Sequence, residues 1–326
     1  MKNYLFKLHF ITALHIGNDS GRDNLASSET SIHSDTIFSA LCTEAARYGQ
    51  DILAKFVEMT ETGDLVLSDA LPFREDEYFL PKPAYRKQIT HPLSNPGDRK
   101  LFKKLDLIPI SMFSGYLQAS DDFPFDIRRA VSLQRDLVFP EKRQRASVIG
   151  KDETEPYFVG SIVFNDDCGL YLLAELAGEE ALPLLQKLLV SLSYSGIGGK
   201  RSSGFGKFSM EGPVILERSE KQSEKLLEEY LTNQTASAYM TINTSLPGDE
   251  EMKEALKGGY FTLCRRGGFV ESPEYSKTPM KKRTVYALAP GAWVHQPYKG
   301  TFCNLAEGGH HPIYRCLKPL FLGVAS

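Results

Sequence analysis

The sequence has no long apolar run, no paired cysteines and no leader-like segment. None of its apolar runs approaches the roughly 20 residues of a bilayer-spanning helix, and its first ten residues pass into polar sequence without a small-residue cleavage site. Its five cysteines lie far apart and never form a Cys-x-x-Cys pair. We therefore expect a cytoplasmic protein without a membrane segment or a disulfide framework.

Metal-knuckle spacing is also missing. Four ligand-type side chains fall within fourteen residues, but neither the cysteine spacing nor the histidine spacing matches a zinc knuckle. They are Cys303, His310, His311 and Cys316. The sequence therefore predicts neither a metal nor any other cofactor.

A net positive charge is absent as well. The formal charge is -3 and the pI is about 6.2, whereas a freestanding nucleic-acid binder usually carries a clear positive excess. The charges are unevenly distributed, however. Residues 81–105 hold seven bases against one acid, and residues 44–77 hold nine acids against three bases. A polyanion would therefore have to bind locally basic segments.

The chain length of 326 residues predicts two domains, because single hydrophobic cores usually stop growing below this size. Alternating side chains at 4–10 predict a half-buried strand with Phe6, Leu8 and Phe10 on one face. A helix follows Ser34, which is its predicted capping residue, and ends at Gly49. Further segments predict short strands at 65–68 and 78–80, two strands joined by a tight turn within 155–174, a helix at 179–193 and a strand at 208–215.

This order indicates an α+β fold, with a ferredoxin-like domain over 1–212. A loop-like basic insertion occupies about 81–155. A charge-rich helix at 217–231, within a connector at 213–235, is predicted to be solvated. Strands at 238–243, 260–264, 285–288 and 313–317, with a helix at 249–256, favour a second, degenerate ferredoxin-like domain over 236–326.

Residues 196–206 form a glycine-rich loop, with five glycines in eleven positions. Because each glycine costs conformational entropy when it is ordered, we expect something to approach this backbone closely. Three cations, two hydroxyls and the main-chain amides are typical phosphate-binding groups, and Phe205 offers a ring for base stacking. The cations and hydroxyls belong to Lys200, Arg201, Lys207, Ser202 and Ser203. The alternative is a surface loop with chance glycines.

Two nucleotide-binding motifs fail on this loop. Gly199 and Gly204 have the Walker separation, but Phe205 stands where lysine is required. Gly196 and Gly198 begin a dinucleotide pattern, but Arg201 occupies the third glycine position. The loop also follows a helix and leads into a strand, which is the reverse of both motifs.

The run GIGGKRSSGFGKF, placed after the second helix, resembles the glycine-rich loop of the RAMP superfamily of CRISPR effector proteins. Leu14-His15-Ile16-Gly17, the run from Ser34 to Leu41, and Glu155 to Phe158 leading to Gly169-Leu170-Tyr171 resemble the fourth-subunit branch of the type III-A, or Csm, complex. This resemblance implies a non-catalytic RNA-binding subunit in antiviral defence. Such a subunit holds the 5′ handle of the guide RNA (crRNA) and docks a large polymerase-like subunit and the backbone RAMP subunits.

By match to the family motif, the expected handle contacts are Gly196, Gly198, Lys200, Arg201, Ser202, Ser203, Gly204, Phe205 and Lys207. His15 is a further candidate for RNA contact, and the amides of the helix that begins at Ser34 could meet a phosphate. The family also suggests a projecting hairpin, or thumb, laid across the guide–target duplex. Its candidate cations are Arg128, Arg129, Arg135, Lys142, Arg143 and Arg145; a solvated insert is the alternative.

Two other functions stay open. The chain could be a metal-independent endoribonuclease that processes precursor crRNA with His15 or His33 as general acid or base. It could also be a protein-interaction module whose glycine-rich loop binds another subunit.

Overall fold

The computed structural model describes residues 1–17, 25–85, 96–119, 125–147, 155–270, 272, 274–276, 278 and 280–324. Parts of the predicted insertion, namely 86–95, 120–124 and 148–154, lie outside the described residues. Within the described ranges no helix combines the length and the apolarity needed to cross a bilayer.

The first unit contains strands and helices in the order β1 (Lys2–Phe10), α1 (Ser34–Tyr48), α2 (Gln50–Thr62), β2 (Leu65–Leu67), β3 (Leu71–Arg74), β4 (Glu77–Pro81), α3 (Pro96–Lys104), β5 (Leu107–Pro109), α4 (Ile110–Gln118), α5 (Ile127–Arg135), β6 (Val138–Ser147), β7 (Glu155–Phe164), β8 (Cys168–Leu176), α6 (Leu182–Ser195) and β9 (Phe208–Ile215). β9 extends three residues beyond the predicted domain boundary at 212.

One antiparallel sheet organises this unit, with the strand order β5-β4-β3-β8-β1-β9. β2 and β3 pair with β8 one after the other. Within the sheet, the order β9-β1-β8-β3 interlocks two β–α–β connections, because α1 and α2 link β1 to β2 and β3, and α6 links β8 to β9.

β1 is buried on both faces, so the prediction of a half-buried strand is wrong. Tyr4, Phe6 and Leu8 point into a core beneath α1, α2 and α6. Leu5, on the other face, joins a second core with Tyr171. The polar residues that suggested a solvent face are covered as well: Lys7 is only 6% exposed, and its Nζ donates to the Glu75 carbonyl at 2.8 Å.

The insertion is largely structured where it is described, which corrects the prediction of a loop. β5 pairs with β4 and extends the sheet, while α3 packs on α5 and α4 packs on β4 and β5. Ile108, Phe113 and Ala130 are completely buried in the second core. The sequence signal was weak because these elements are only three to nine residues long.

β6 and β7 form a ten-pair antiparallel hairpin from Val138↔Phe164 to Ser147↔Glu155. The predicted pairing of the two strands within 155–174 is therefore wrong. β7 pairs with β6 along its whole length up to Phe164, whereas β8, after the turn, enters the main sheet. The hairpin carries Arg143 and Arg145 along β6.

The second unit contains α7 (Gln222–Thr232), β10 (Ala238–Thr241), α8 (Met252–Ala255), β11 (Leu263–Arg266), β12 (Val285–Leu288), β13 (Trp293–Val294), β14 (Thr301–Asn304), β15 (Tyr314–Leu317) and β16 (Phe321–Val324). β13, β10 and β16 form a three-stranded antiparallel sheet, and β11–β12 and β14–β15 are two-stranded ribbons. Met240, Trp293 and Leu322 share the second core with Leu5 and Tyr171. The two units therefore share one core, and the second unit has two smaller apolar clusters of its own.

α7 is not a solvated connector, contrary to the prediction. It packs on β16 and α4, and Leu227 is completely buried. Glu224 is 2% exposed and accepts hydrogen bonds from the hydroxyls of Tyr78, at 2.8 Å, and Ser219. The exposed face carries other charged residues that suggested solvation, among them Glu220, Lys225 and Glu229.

A buried ion cluster joins the two units at the start of α1. Asp35 is 5% exposed and accepts hydrogen bonds from Arg266 at 2.8 and 3.1 Å and from Arg315 at 2.7 Å. Burial alone would raise the pKa of the Asp35 carboxyl, but the two guanidinium groups hold it well below its usual range. The carboxylate is therefore charged in the folded protein.

Asp35→Asn should strongly destabilise the protein, because it leaves two largely buried arginines without their counter-ion. Breaking a buried pair costs about 3–5 kcal/mol, and we expect a loss of this order in urea unfolding at pH 7. The control is Glu254→Gln, which removes an exposed pair with Lys257 and should leave the midpoint unchanged. Equal midpoints for the two variants would contradict a stabilising role for the Asp35 cluster.

Candidate nucleic-acid interface

The glycine-rich loop is bonded to the segment that follows β1, residues 11–17, which we call the first loop. Gly199 N donates to the His15 carbonyl at 2.8 Å, and Gly206 N donates to the Ala13 carbonyl at 2.9 Å. Ile197 N closes the loop on itself by donating to the Gly206 carbonyl at 3.0 Å. The first loop is held on its other side by β7, through reciprocal main-chain bonds between Leu14 and Ile162.

Most of the glycines are required by protein contacts. A Cβ at Gly206 would lie 1.9 Å from the Ile197 carbonyl oxygen, and a Cβ at Gly198 would lie 2.5 Å from that of His15. Gly196 is similarly crowded, 2.5 Å from the Phe205 carbonyl oxygen. The close approach that these glycines predicted is therefore made, at these positions, by the protein's own backbone. Gly204 differs, because a Cβ there would meet no atom within 4 Å, although its φ of +84° also favours glycine.

The main-chain amides are also largely used within the protein. Besides the three amides above, Gly196 N donates to the Leu192 carbonyl and Lys207 N to the Thr12 hydroxyl. Gly204 N closes the 3₁₀ turn Arg201–Ser203. An amide cradle made of these groups is therefore excluded, and the loop presents side chains to the outside.

Phe205 joins the glycine-rich loop to the β6–β7 hairpin. Its side chain is 4% exposed, and the guanidinium carbons of Arg145 and Arg143 lie 5.6 and 6.0 Å from its ring centroid. The prediction that a base stacks on this ring is wrong, because protein covers it. The ring instead supports two cations, and Arg145 Nη1 donates to the Ser203 hydroxyl at 3.2 Å.

A basic cluster results where the loop meets the hairpin. Lys200 Nζ lies 5.1 Å from the ring of Tyr157, which is the cross-strand partner of Arg145. Lys207 and Ser202 are exposed beside the same loop. One acid enters this surface: Glu141 accepts a hydrogen bond from Arg143 at 2.9 Å. We define the basic cluster as Arg143, Arg145, Lys200, Arg201 and Lys207.

Arg128 and Arg129 lie outside this cluster, on α5. Arg128 Nε donates to Asp98 of α3 at 3.0 Å, and the Arg129 amide donates to the capping carboxylate of Asp126. α5 packs against α3 and β5 before the hairpin begins. At about 3.3 Å per residue, Arg143 lies about 17 Å along β6 from the first residue of that strand. The structure therefore divides the predicted thumb cations between two surfaces.

His15 is a structural residue, which corrects its assignment as an RNA contact. It is 4% exposed, and its Nδ1 donates to the Gly160 carbonyl at 2.6 Å. Gly160 is itself required by packing, because a Cβ there would lie 2.5 Å from the Ala26 carbonyl. His15 therefore ties the first loop to β7.

Ser34 is likewise unavailable to a phosphate. It is 6% exposed, its amide donates to Asp69 Oδ1 at 2.7 Å, and its hydroxyl faces the Thr244 carbonyl. His33, not Ser34, precedes the first turn of α1, and the carboxylate of Asp69 takes the place of the predicted cap. Asp69 was missed by the sequence reasoning, although an acid in the apolar run Leu65–Phe73 was an available signal.

His33 forms ion pairs with Asp69 at 2.8 Å and Glu29 at 3.4 Å, and Thr244 Oγ1 lies 2.7 Å from its Nδ1. Burial alone would lower the pKa of His33, but the two carboxylates, Asp69 foremost, raise it to about 10. A histidine that holds its proton to this pH is not a general base near neutrality.

Comparison with known proteins gives a family for both halves of the chain. Residues 7–209 match the RAMP superfamily, and residues 234–324 match the CRISPR Csm4 C-terminal domain. A "CRISPR system Cms protein Csm4" from Mycobacterium tuberculosis is 34% identical over 332 aligned residues, which cover 99% of this chain and 98% of the relative.

Solved structures show the same fold. The crystal structure of a Csm3–Csm4 subcomplex of the type III-A CRISPR–Cas interference complex superposes with a TM-score of 0.64 at 18% identity, covering 100% of both chains. A Csm1–Csm4 cassette in complex with cA4 gives 0.58 at 17% identity, over 99% of this chain and 98% of that chain.

Gly206→Ala should destabilise the protein more than Gly204→Ala. Both positions have positive φ, which costs an alanine about 1–2 kcal/mol. Only the Cβ at 206 meets backbone, and this overpacking adds about 1–3 kcal/mol. Urea unfolding of the two variants measures the difference. Equal losses would indicate that contact with the protein does not fix Gly206.

Stability should decline at alkaline pH because of His33. Its pKa is about 10 when folded and about 6.5 when unfolded, so its contribution is complete below about pH 6.5 and is lost as the pH rises toward 10. Raising the pH from 6 to 10 should lower the free energy of unfolding of the protein by at least about 1.4 kcal/mol more than it lowers that of His33→Gln. This difference is the equivalent of one pKa unit. Tyrosines and lysines are present in both proteins, so their effects cancel in this comparison. If the free energies of unfolding of the two proteins fall in parallel with pH, His33 does not make the expected contribution.

Proposed function

Since the chain belongs to the RAMP superfamily and to its Csm4 family, we propose that it is a non-catalytic structural subunit of a type III-A CRISPR effector complex that anchors the 5′ handle of the crRNA. The observation that carries this proposal is the basic cluster, in which the glycine-rich loop and the hairpin bring their cations to one surface. A polyanion bound there neutralises several cations at once.

The handle contacts are the side chains that the loop and the hairpin present. Lys200, Arg201 and Lys207 neutralise phosphates, and the exposed hydroxyls of Ser202 and Ser203 donate to phosphate or ribose oxygens. Gly204 leaves open space at the tip of the loop, where a nucleotide can approach. Gly196, Gly198 and Phe205 act indirectly, by fixing the shape of the loop and the position of the arginines.

The hairpin is proposed as the thumb that contacts the guide–target duplex. Its two strands are paired over ten residues, so it is long enough to carry cations away from the body of the protein. Arg143 and Arg145 then belong to both the handle site and the thumb. Arg128 and Arg129 meet the duplex backbone if it continues toward α5.

The non-catalytic role is supported by the surroundings of the two candidate histidines. His15 is buried against β7, and His33 is held protonated between carboxylates. Neither presents a free imidazole to a phosphodiester, as an endoribonuclease that used either histidine as a general base would require. Specific cleavage of repeat RNA by the purified protein in the presence of a chelator would favour that enzyme instead.

The partner proteins are proposed from the relatives. Homologous chains are found with Csm3 in one solved structure and with Csm1 in another. We propose that this chain similarly meets a backbone RAMP subunit and the large polymerase-like subunit, in the cytoplasm. Assembly with RNA and protein would supply the affinity that a chain with a formal charge of -3 lacks.

The domain organisation completes the proposal. The order β13-β10-β16 in the second sheet is compatible with three strands of a ferredoxin-like unit that has lost its regular helices. We propose two ferredoxin-like domains, with the first ending at β9 and the second beginning near β10, joined by α7.

Replacing the loop cations should weaken RNA binding and its salt dependence together. For Lys200→Ala/Arg201→Ala/Lys207→Ala, the slope of log affinity against log salt for handle-sequence RNA should fall by about 2, since each single-strand phosphate contact contributes about 0.7. Fluorescence anisotropy at several salt concentrations measures this slope. Loading of crRNA into the assembled complex should fall in parallel.

The matched control removes three exposed lysines elsewhere, Lys55, Lys253 and Lys257. It changes the net charge by the same amount, so a general electrostatic effect would appear in both proteins. The cluster is not the handle site if the two triple variants bind RNA with the same slope.

A further inference from the structure

A second surface with exposed rings and cations lies on the β11–β12 ribbon, far along the chain from the basic cluster. The side chain of Tyr286 on β12 is 60% exposed, and that of Phe269, just after β11, is 54% exposed. Arg265 is the cross-strand partner of Tyr286. Lys281 forms an isolated β-bridge with Phe269, and its Nζ lies 5.7 Å from the centroid of the Phe269 ring. Each exposed ring therefore has a cation beside it.

The paired strands and their flanks carry charge of one sign, although the connecting segment 271–279 adds two acids and one lysine. Residues 260–270 and 280–288 contain five cations and no acid. They are Arg265, Arg266, Lys281, Lys282 and Arg283. Arg266 is committed to Asp35, but Lys281 and Arg283 are exposed. Lysines are depleted in protein interfaces, and exposed rings interleaved with cations are the groups with which proteins bind single-stranded nucleic acid, so this surface fits a nucleic acid.

The ribbon is also held in place. Arg266 at the end of β11 bonds to Asp35, Val270 N donates to the Met280 carbonyl at 2.9 Å, and Arg283 Nη2 donates to the Asn304 carbonyl at 3.2 Å. Rings on a fixed frame lose little conformational entropy when a base stacks on them.

The ribbon and the basic cluster are linked through one buried network. Asp35, which anchors the ribbon, follows His33 by two residues, and His33 pairs with Glu29. Glu29 N in turn donates at 3.0 Å to the Ile16 carbonyl of the first loop, on which the glycine-rich loop rests. The two surfaces thus have a fixed relation to each other.

We infer that the β11–β12 ribbon is a second contact for single-stranded RNA, in which Tyr286 and Phe269 stack on bases while Lys281 and Arg283 neutralise phosphates. This inference rests on the proposed RNA-binding role and adds to it a surface on the second unit. The strand bound is either part of the guide RNA or an unpaired stretch of a target RNA, and the chemistry of recognition is the same for both.

The test removes the rings and keeps the cations. In the full-length protein, Phe269→Ala/Tyr286→Ala should weaken binding of single-stranded RNA about ten-fold with little change in the salt slope, because stacking, not phosphate neutralisation, is lost. Phe269→Tyr/Tyr286→Phe keeps both rings and should bind as the unaltered protein does. Tyr194→Ala, which removes a 76% exposed tyrosine from α6, is the control for loss of a surface ring.

Two RNAs identify the source of the strand. A loss confined to handle-sequence RNA assigns the ribbon to the guide, and a loss confined to a single strand of unrelated sequence assigns it to the target. Unchanged affinity of the ribbon variant for both RNAs overturns the inference. If the variant binds both RNAs normally but assembles less well into the complex, the ribbon docks a protein. If the ribbon variant is normal while the triple variant of the basic cluster loses binding, only this inference fails; if both bind normally, the proposed function fails too.

Discussion

The arrangement of the basic surface depends on one main-chain seam, in which the first loop is held between β7 and the glycine-rich loop. Carbonyls of Ala13 and His15 accept amides from the glycine-rich loop, and Leu14 exchanges bonds with Ile162. Such close approach leaves no room for side chains at Gly198 and Gly206. The glycines are thus part of the scaffold that brings Lys200 to Tyr157, the cross-strand partner of Arg145, and the proposed RNA contacts are left to the side chains at the tip of the loop.

The second constraint is the set of buried charges between the two units. Asp35 and Asp69 lie near the start of α1, and each meets groups from the second unit. A carboxylate buried in this way destabilises the fold unless its hydrogen-bonding and positively charged partners stay beside it. The shared apolar core around Trp293 and Leu5 acts in the same direction, so the orientation of the two units is built into the fold.

Local patterns predicted the first unit well where its elements are long and periodic. The bounds of β9 agree with the sequence prediction, and α1 ends at Gly49 as expected. In the second unit, the predicted strand at 285–288 agrees with β12. The short elements of the insertion gave no usable period, and tertiary contacts decided which strands pair. The local sequence does not show whether β7 pairs with β6 or with β8, because strand pairing depends on where the intervening chain packs.

The sequence predicted the cations of the candidate site but not the structural roles of the other residues around them. The loop cations and the hairpin arginines were identified from the sequence, and the structure brings Arg143 and Arg145 to the loop. The sequence could not reveal that the amides, Phe205, His15 and Ser34 are used internally, because burial depends on residues far away in the chain. Glu44 and Glu224 show why the formal charge was a poor guide: both count as acids but are buried, with 0% and 2% exposure.

The Asp35 cluster limits how the two halves of the chain can be separated or exchanged, in evolution and in protein engineering. A shortened chain ending after α7 would keep Asp35 but lose Arg266 and Arg315, and it would uncover the apolar surface that Trp293 and Leu322 close. Halves taken from two homologues would keep this cluster only if one half supplies the carboxylate and the other supplies the two arginines. The smallest unit that can be expressed, swapped or evolved is therefore the pair of halves, even though family comparison matches them separately.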